Sequence, residues 1–189
     1  MKINFAAGGL IFLKRFLKVL IRPYGFRSYG RNSFIGLPRI VRGRDCISIG
    51  KNSSIGASSW IEAIKSYGND SFSPVINIGC NVSVGRFCTI TATTSIVIGD
   101  NSLISEHVFI SDHFHDVFSS GSLPLVARPL IEKGCVVIGH SCFLGYRAIV
   151  LPGVVLGPNC IVGAGSVVTK SFDAGSVIAG SPARLIRKL

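Results

Sequence analysis

Between Ile138 and Val168 a branched aliphatic residue returns every six positions: Ile138, Leu144, Val150, Leu156, Val162, Val168. Gly139, Gly145, Gly157 and Gly163 follow four of them. A helix repeats near 3.6 residues and a half-buried strand at 2, so neither explains a period of six. A parallel β-helix does. Each hexad forms one short flat side, and its aliphatic residue points inward to stack on its equivalent in the next turn. Such units cannot bury a core alone, so the array must be long.

The pattern reaches back to Ile35, Val41 and Ile47, which predicts a ladder beginning near Ser33. One phrase recurs, as Ile47-Ser48-Ile49-Gly50-Lys51-Asn52, Ile76-Asn77-Ile78-Gly79-Cys80-Asn81 and Ile96-Val97-Ile98-Gly99-Asp100-Asn101. Val154-Val155-Leu156-Gly157-Pro158-Asn159 repeats it again, 18 residues after Val136-Val137-Ile138-Gly139, so three hexads make one coil. Asn after Gly-x suits a corner, because it tolerates left-handed backbone geometry. Departures from 18 locate insertions. Ile49 to Ile78 is 29 residues, predicting a loop near 65–74. Ile78 to Ile98 is 20, predicting a small bulge around Thr93-Thr94. Ile98 to Ile138 is 40, so a 22-residue excursion leaves after Ile110 and returns near Val136. A regular solenoid has no structural need for that loop, and long loops in compact domains tend to carry function.

Composition agrees with a β-rich single domain: 189 residues, 48% hydrophobic, 15% charged, 22 glycines. Six cysteines, at 46, 80, 88, 135, 142 and 160, show no C-x-x-C spacing and fall mostly inside hexads, which predicts reduced, buried thiols. The net charge of +11 is uneven. Residues 1–44 hold ten Lys/Arg and no acid, whereas 45–189 hold ten Lys/Arg and nine acids. No nucleic-acid motif accompanies the basic end, and nucleic-acid binding is not expected.

That basic end has its own pattern. Ile3 to Ile21 is mostly apolar, with Lys14, Lys18 and Arg22 on one helical face. The charge-free run, Ile3 to Leu13, is too short to span a bilayer, and no small-residue cleavage site follows it. Residues 1–22 predict an amphipathic helix that either lies on an anionic membrane surface or packs on its own assembly. The expected organisation is a basic segment over 1–30, a β-helix over 31–180 and a short basic helical cap over 181–189. The expected location is cytoplasmic, at the inner face of the membrane if the helix binds there.

Candidate chemistry sits at the start of the excursion, Ser111-Asp112-His113-Phe114-His115-Asp116. A general base for a hydroxyl needs a neutral imidazole, and a carboxylate that fixes its tautomer helps. Two of the four histidines stand here beside two acids. The alternative is a polar loop whose histidines do nothing; position at the one large insertion favours the catalytic reading.

These hexads and the D-H-x-H loop resemble the hexapeptide-repeat acyltransferases, in particular bacterial sugar and polysaccharide O-acetyltransferases of the galactoside, maltose and xenobiotic acetyltransferase group. The resemblance implies a left-handed β-helix with a protruding loop over about 111–136. The hand comes from the resemblance, since crossovers between parallel strands are normally right-handed. It also implies a homotrimer using acetyl-coenzyme A as co-substrate, with no metal. His115 is the gapless match to the family's catalytic base and His113 the match after a two-residue gap, with Asp112 beside them. Tyr146, Ala164, Thr169, Lys170 and Arg187 match the coenzyme contacts. Gly163-Ala164-Gly165 would let a backbone and a pantetheine arm approach closely, and Lys170 and Arg187 would meet phosphates. Gly85 and Thr93 stand where the galactoside enzymes hold an Asn and an Asp on the acceptor, which argues against the same acceptor pocket. The implied function is acetyl transfer to a hydroxyl of a sugar in a surface polysaccharide or its lipid-linked precursor.

A sugar nucleotide, free sugar, antibiotic or amino acid is an alternative acceptor. A γ-carbonic-anhydrase-like zinc enzyme would need three convergent ligands; His107, His113, His115 and His140 suffice in number but lack that family's H-x4-H pair. A non-enzymatic scaffold would need the threonine pattern of 89–93 on every coil, and it occurs once.

Overall fold

Eighteen residues carry the chain once around a three-sided prism. The computed structural model describes residues 24–117 and 123–189; the predicted N-terminal helix and its membrane or assembly contact lie outside them. Among the described residues no helix is long and apolar enough to cross a membrane. The first face stacks Ser28–Tyr29, Ile47–Ile49, Val75–Ile78, Ser95–Ile98, Val136–Ile138 and Val155–Leu156. The second runs from Phe34–Ile35 through Leu103–Ile104 and Phe143–Leu144 to Ser176–Gly180. The third stacks Ile40–Arg42, Trp60–Ala63, Thr89–Ala92, Phe109–Ser111, Ile149–Val150 and Val167–Val168. All these pairings are parallel and in register, so Val41, Ile61, Ile90, Ile110, Val150 and Val168 form one column. The period of six thus resolves into three faces: Ile138, Leu144 and Val150 lie on successive ones, each fully buried. The architecture is a left-handed parallel β-helix.

The corners explain the recurring phrase. Between the first and second faces Asn52, Asn81, Asn101 and Asn159 take φ of 55–60°. Asn81 Nδ2–H donates to Asn101 Oδ1 at 3.0 Å, so the asparagines also pair along the axis. Gly99 is required by proximity: a Cβ there would lie 2.5 Å from the backbone nitrogen of His140 in the next coil. Buried serines stitch coils together. Ser53 Oγ–H donates to the Gly79 carbonyl at 2.7 Å and accepts from the Val82 amide at 3.0 Å. Cysteines take the same place further on: the Sγ of Cys142 lies 3.3 Å from the Gly157 carbonyl, and that of Cys160 3.2 Å from the Asp173 carbonyl. All six thiols are free.

Every long insertion leaves from the corner between the third and first faces. The predicted loop near 65–74 is a hairpin, Ser66–Tyr67 against Asp70–Ser71. The 22-residue excursion opens as His113–His115, paired antiparallel with Leu130–Glu132. Two expectations change. The first rung, Ser28–Tyr29, pairs with Ser48 and Ile49 ahead of both Ser33 and the proposed boundary at 30. Its two residues, Ser and Tyr, offer no aliphatic signal. The C-terminal cap is a strand, not a helix: Ala183–Lys188 runs antiparallel to Ser176–Gly180. Six residues are too few for a stable helix, whereas the last parallel strand presents an open row of amides and carbonyls for them to pair with.

Candidate active site

Where the excursion leaves the third face, the chain buries a carboxylate. Asp112 is fully buried. Its Oδ1 accepts from the Thr93 amide at 2.8 Å and the Thr93 hydroxyl at 3.2 Å; its Oδ2 accepts from the amides of Thr94 and Ser95, both at 2.8 Å. These donors come from the two-residue excess in the preceding coil, which takes the Thr93 and Thr94 backbone off the regular ladder. A fifth hydrogen bond comes from His113, whose Nδ1 lies 2.9 Å from Asp112 Oδ1. Burial by itself would raise the Asp112 pKa, but the hydrogen bonds from His113, Thr93 and Thr94 outweigh it and hold the carboxyl below its ordinary value. An ionised carboxylate only accepts, so Nδ1 carries the proton and Nε2 is left as the basic nitrogen of the neutral ring. The His113 side chain is only 10% exposed, and it lines a cleft.

The cleft is about 1050 Å³ and lies over the third face. Thr89 and Phe109 form part of its floor, with Tyr67 from the hairpin and Phe114 from the excursion at its sides. Arg42, Trp60 and Glu62 line it on the N-terminal coils, and Leu151, Pro152 and Thr169 on the C-terminal ones. His115 also lines it, but is exposed, and its ring meets Tyr67 edge-on at 5.4 Å rather than a carboxylate. Tyr67 O–H donates to the Val126 carbonyl at 3.2 Å, so the hairpin braces the excursion. A smaller pocket of about 620 Å³ shares Leu130 with the cleft and is lined by Asp70, Ser71, Thr93, Thr94 and Glu132.

The sequence-derived residues divide. Asp112, His113, His115 and Thr169 meet at the cleft or directly beneath it. Tyr146 and Ala164 stand one coil apart on the opposite edge of the third face, where the Gly165 amide donates to the Tyr146 carbonyl at 2.8 Å. Lys170 is exposed next to Thr169, with its Nζ 5.6 Å from the Phe172 ring centroid. Arg187 lies opposite Val177 on the terminal strand, away from the third face. Trp60, Glu62 and Arg42 were missed; their only signal is the period-2 alternation that turns Trp60 and Glu62 outward on either side of buried Ile61.

Neither buried thiol that approaches the site's coils suits a nucleophile. Burial pushes Cys88 and Cys142 up to about 11, far from the thiolate form. Among the described residues no group of three or more His, Cys, Asp or Glu side chains is arranged to hold a metal ion.

Comparison with known proteins adds to this geometry. Residues 131–170 match the model for the hexapeptide repeat of succinyl-transferase. The chain is 37% identical over 169 residues to WbbJ of Escherichia coli, named for O-acetyl transfer in lipopolysaccharide biosynthesis, covering 86% of this chain and 82% of that protein. It is 31% identical over 154 residues to the galactoside O-acetyltransferase of Escherichia coli, covering 80% and 71%. Among solved structures, the N-acyltransferase AntD of Bacillus cereus, in complex with dTDP and 3-hydroxybutyryl-CoA, matches with a TM-score of 0.72. That match covers 95% of this chain and 87% of the other at 23% identity, and it supports the fold.

Proposed function

The chain belongs to the hexapeptide-repeat acetyltransferases, and from that premise we propose that it moves an acetyl group from acetyl-coenzyme A to a sugar hydroxyl of a surface polysaccharide or its precursor, with His113 as the general base. The observation that carries the assignment of the base is the Asp112–His113 pair, set in a cleft of about 1050 Å³. His113 Nε2 accepts the proton of the sugar hydroxyl as its oxygen attacks. Asp112 keeps the ring in the required tautomer and stabilises the imidazolium. In the proposed homotrimer a backbone N–H near Tyr146 of the neighbouring copy stabilises the charge that develops on the carbonyl oxygen. His113 then returns the proton to the departing sulfur. Acetyl-coenzyme A would supply the activated thioester, with coenzyme A as the thiolate leaving group.

The chain's residues fit that co-substrate. Thr169 lies at the C-terminal end of the cleft with the exposed Lys170 beside it, suited to phosphate. Ala164 is exposed, and a Cβ built on the adjacent Gly165 would meet no atom within 4 Å, leaving an open edge for a pantetheine arm. In the proposed homotrimer the Tyr146–Ala164 edge of one copy faces the His113 cleft of the next, and Arg187 contributes at the end of the groove. Six unpaired cysteines fit a reducing, cytoplasmic location. A free sugar is the second reading, on the overall likeness to the galactoside enzyme, with a pocket that differs from that enzyme's at Gly85 and Thr93.

Thiol release from acetyl-coenzyme A, measured across free sugars, sugar nucleotides and lipid-linked oligosaccharides, tests this function. His113→Ala is expected to lower turnover by about 10²–10⁴-fold. His115→Ala, which removes no carboxylate partner, is expected to lower it less than about tenfold. Equal small losses in both variants would refute the assignment of the base; no release with any acceptor would refute the function.

A further inference from the structure

The N-terminal end of the cleft is built differently from the rest. Trp60 Nε1–H donates to Glu62 Oε2 at 2.7 Å, which fixes the indole along the strand. The Glu62 side chain is only 14% exposed, yet Oε1 is held weakly, by Arg42 at 3.5 Å. The Arg42 side chain is 68% exposed. On the other side the Arg39 guanidinium lies 5.4 Å from the Trp60 ring centroid. One guanidinium, that of Arg42, therefore lines this end of the cleft beside a carboxylate already engaged by an indole, and a second, that of Arg39, lies against the same indole. No acid occurs before Asp45, and Arg27, Arg31 and Arg44 add to the positive charge of the same coils.

We propose that this end is a subsite for an acceptor whose sugar is joined to phosphate, with Arg42 on the phosphate oxygens and Glu62 on a sugar hydroxyl. The proposal rests on the acetyltransferase reading above and specifies its acceptor class. The register sets the scale. Arg42, Glu62, Thr91 and Ser111 occupy successive rungs of the third face. At about 4.8 Å per rung they span roughly 14 Å, room for a sugar ring between the Arg42 guanidinium and the start of the His113 strand. A fork of N–H donors matches a phosphate oxygen pair with charge-assisted hydrogen bonds. Placing the phosphate on these coils keeps it clear of Thr169 and Lys170, where the phosphates of coenzyme A are expected. Such a phosphate belongs to a nucleotide or to a lipid carrier, and both present the same chemistry to Arg42.

Trp60 is the sole tryptophan in the chain, so its fluorescence reports from the subsite itself. The full chain would be titrated with glucose 1-phosphate, UDP-glucose, a polyprenyl-diphosphate-linked hexose in detergent, free glucose and glucuronic acid. Phosphate-bearing probes are expected to change the emission saturably and bind at least about tenfold tighter than free glucose, with affinity falling as salt rises. Arg42→Ala is expected to erase that advantage and Arg42→Lys to keep part of it. Tighter binding of the nucleotide or of the lipid-linked probe identifies the source of the phosphate. No response to any phosphate-bearing probe, equal binding of free glucose, equal binding of glucuronic acid, or an unaltered advantage in Arg42→Ala would each overturn the proposal. The two readings fail separately. His113-dependent transfer without phosphate preference removes only the subsite, and phosphate-dependent binding without transfer to any acceptor removes only the proposed reaction.

Discussion

Asp112 accepts hydrogen bonds on both oxygens from backbone amides that cannot move without breaking the coil above. An amide side chain in its place must turn its NH₂ either toward the Thr94 and Ser95 amides, donor against donor, or toward His113, reversing the tautomer. Asp112→Asn should therefore lower kcat by about 10²-fold or more while leaving KM for acetyl-coenzyme A within about twofold, which separates positioning of the base from substrate binding. It should also change stability in a pH-dependent way. The native carboxyl titrates below its unfolded value of about 3.9. The unfolded chain thus binds more protons in that window, and the contribution of Asp112 is full above it and lost as pH falls through the native value. The Tm gap between wild type and Asp112→Asn, measured from about pH 6 to about pH 3, should narrow with acid; a constant gap would count against a carboxylate that stays charged. The D-H-x-H motif was legible in the sequence. Which histidine takes the carboxylate was not, because the amides that anchor Asp112 lie 17–19 residues upstream, in the bulge at Thr93–Thr94.

The hexad repeat, its corners and all three insertions could be read before the structure, because stacking forces one inward aliphatic and one tight corner per side. The elements that escaped were those stabilised by pairing instead of pattern. Arg184-Leu185-Ile186-Arg187 looks like a short basic helix until the open edge of Ser176–Gly180 is available to it. The hydroxyl stitches were equally silent, since a buried serine in a sequence resembles any small residue. Ser53 makes one of them, donating to Gly79 and accepting from Val82. Ser53→Ala leaves that buried carbonyl and amide without the hydroxyl and should cost about 1–3 kcal/mol in urea unfolding, whereas Ser53→Cys, which repeats the arrangement seen at Cys142, should recover part of it.

Across the molecule each coil touches only its neighbours, so stability accumulates along the axis and the ends need covers. At the C-terminal end Ala183 is fully buried and the strand that follows it occupies the last free edge of the second face. A chain ending at Gly180 should expose that edge and associate through it, seen as a lower Tm and as larger species in gel filtration; an unchanged monomer-to-oligomer profile and Tm would show that the strand is dispensable. The long insertions, by contrast, stay at one corner, the hairpin after Ala63 and the arm after Ser111. Two of the three corners therefore keep their count whatever happens at the third. Segments of any length can be exchanged between Ala63 and Val75, or between His115 and Leu130 beyond the Asp112–His113 pair, without shifting the register of a single rung. Such a chain can diversify its choice of acceptor by splicing, while the frame that aligns the reacting groups is inherited unaltered.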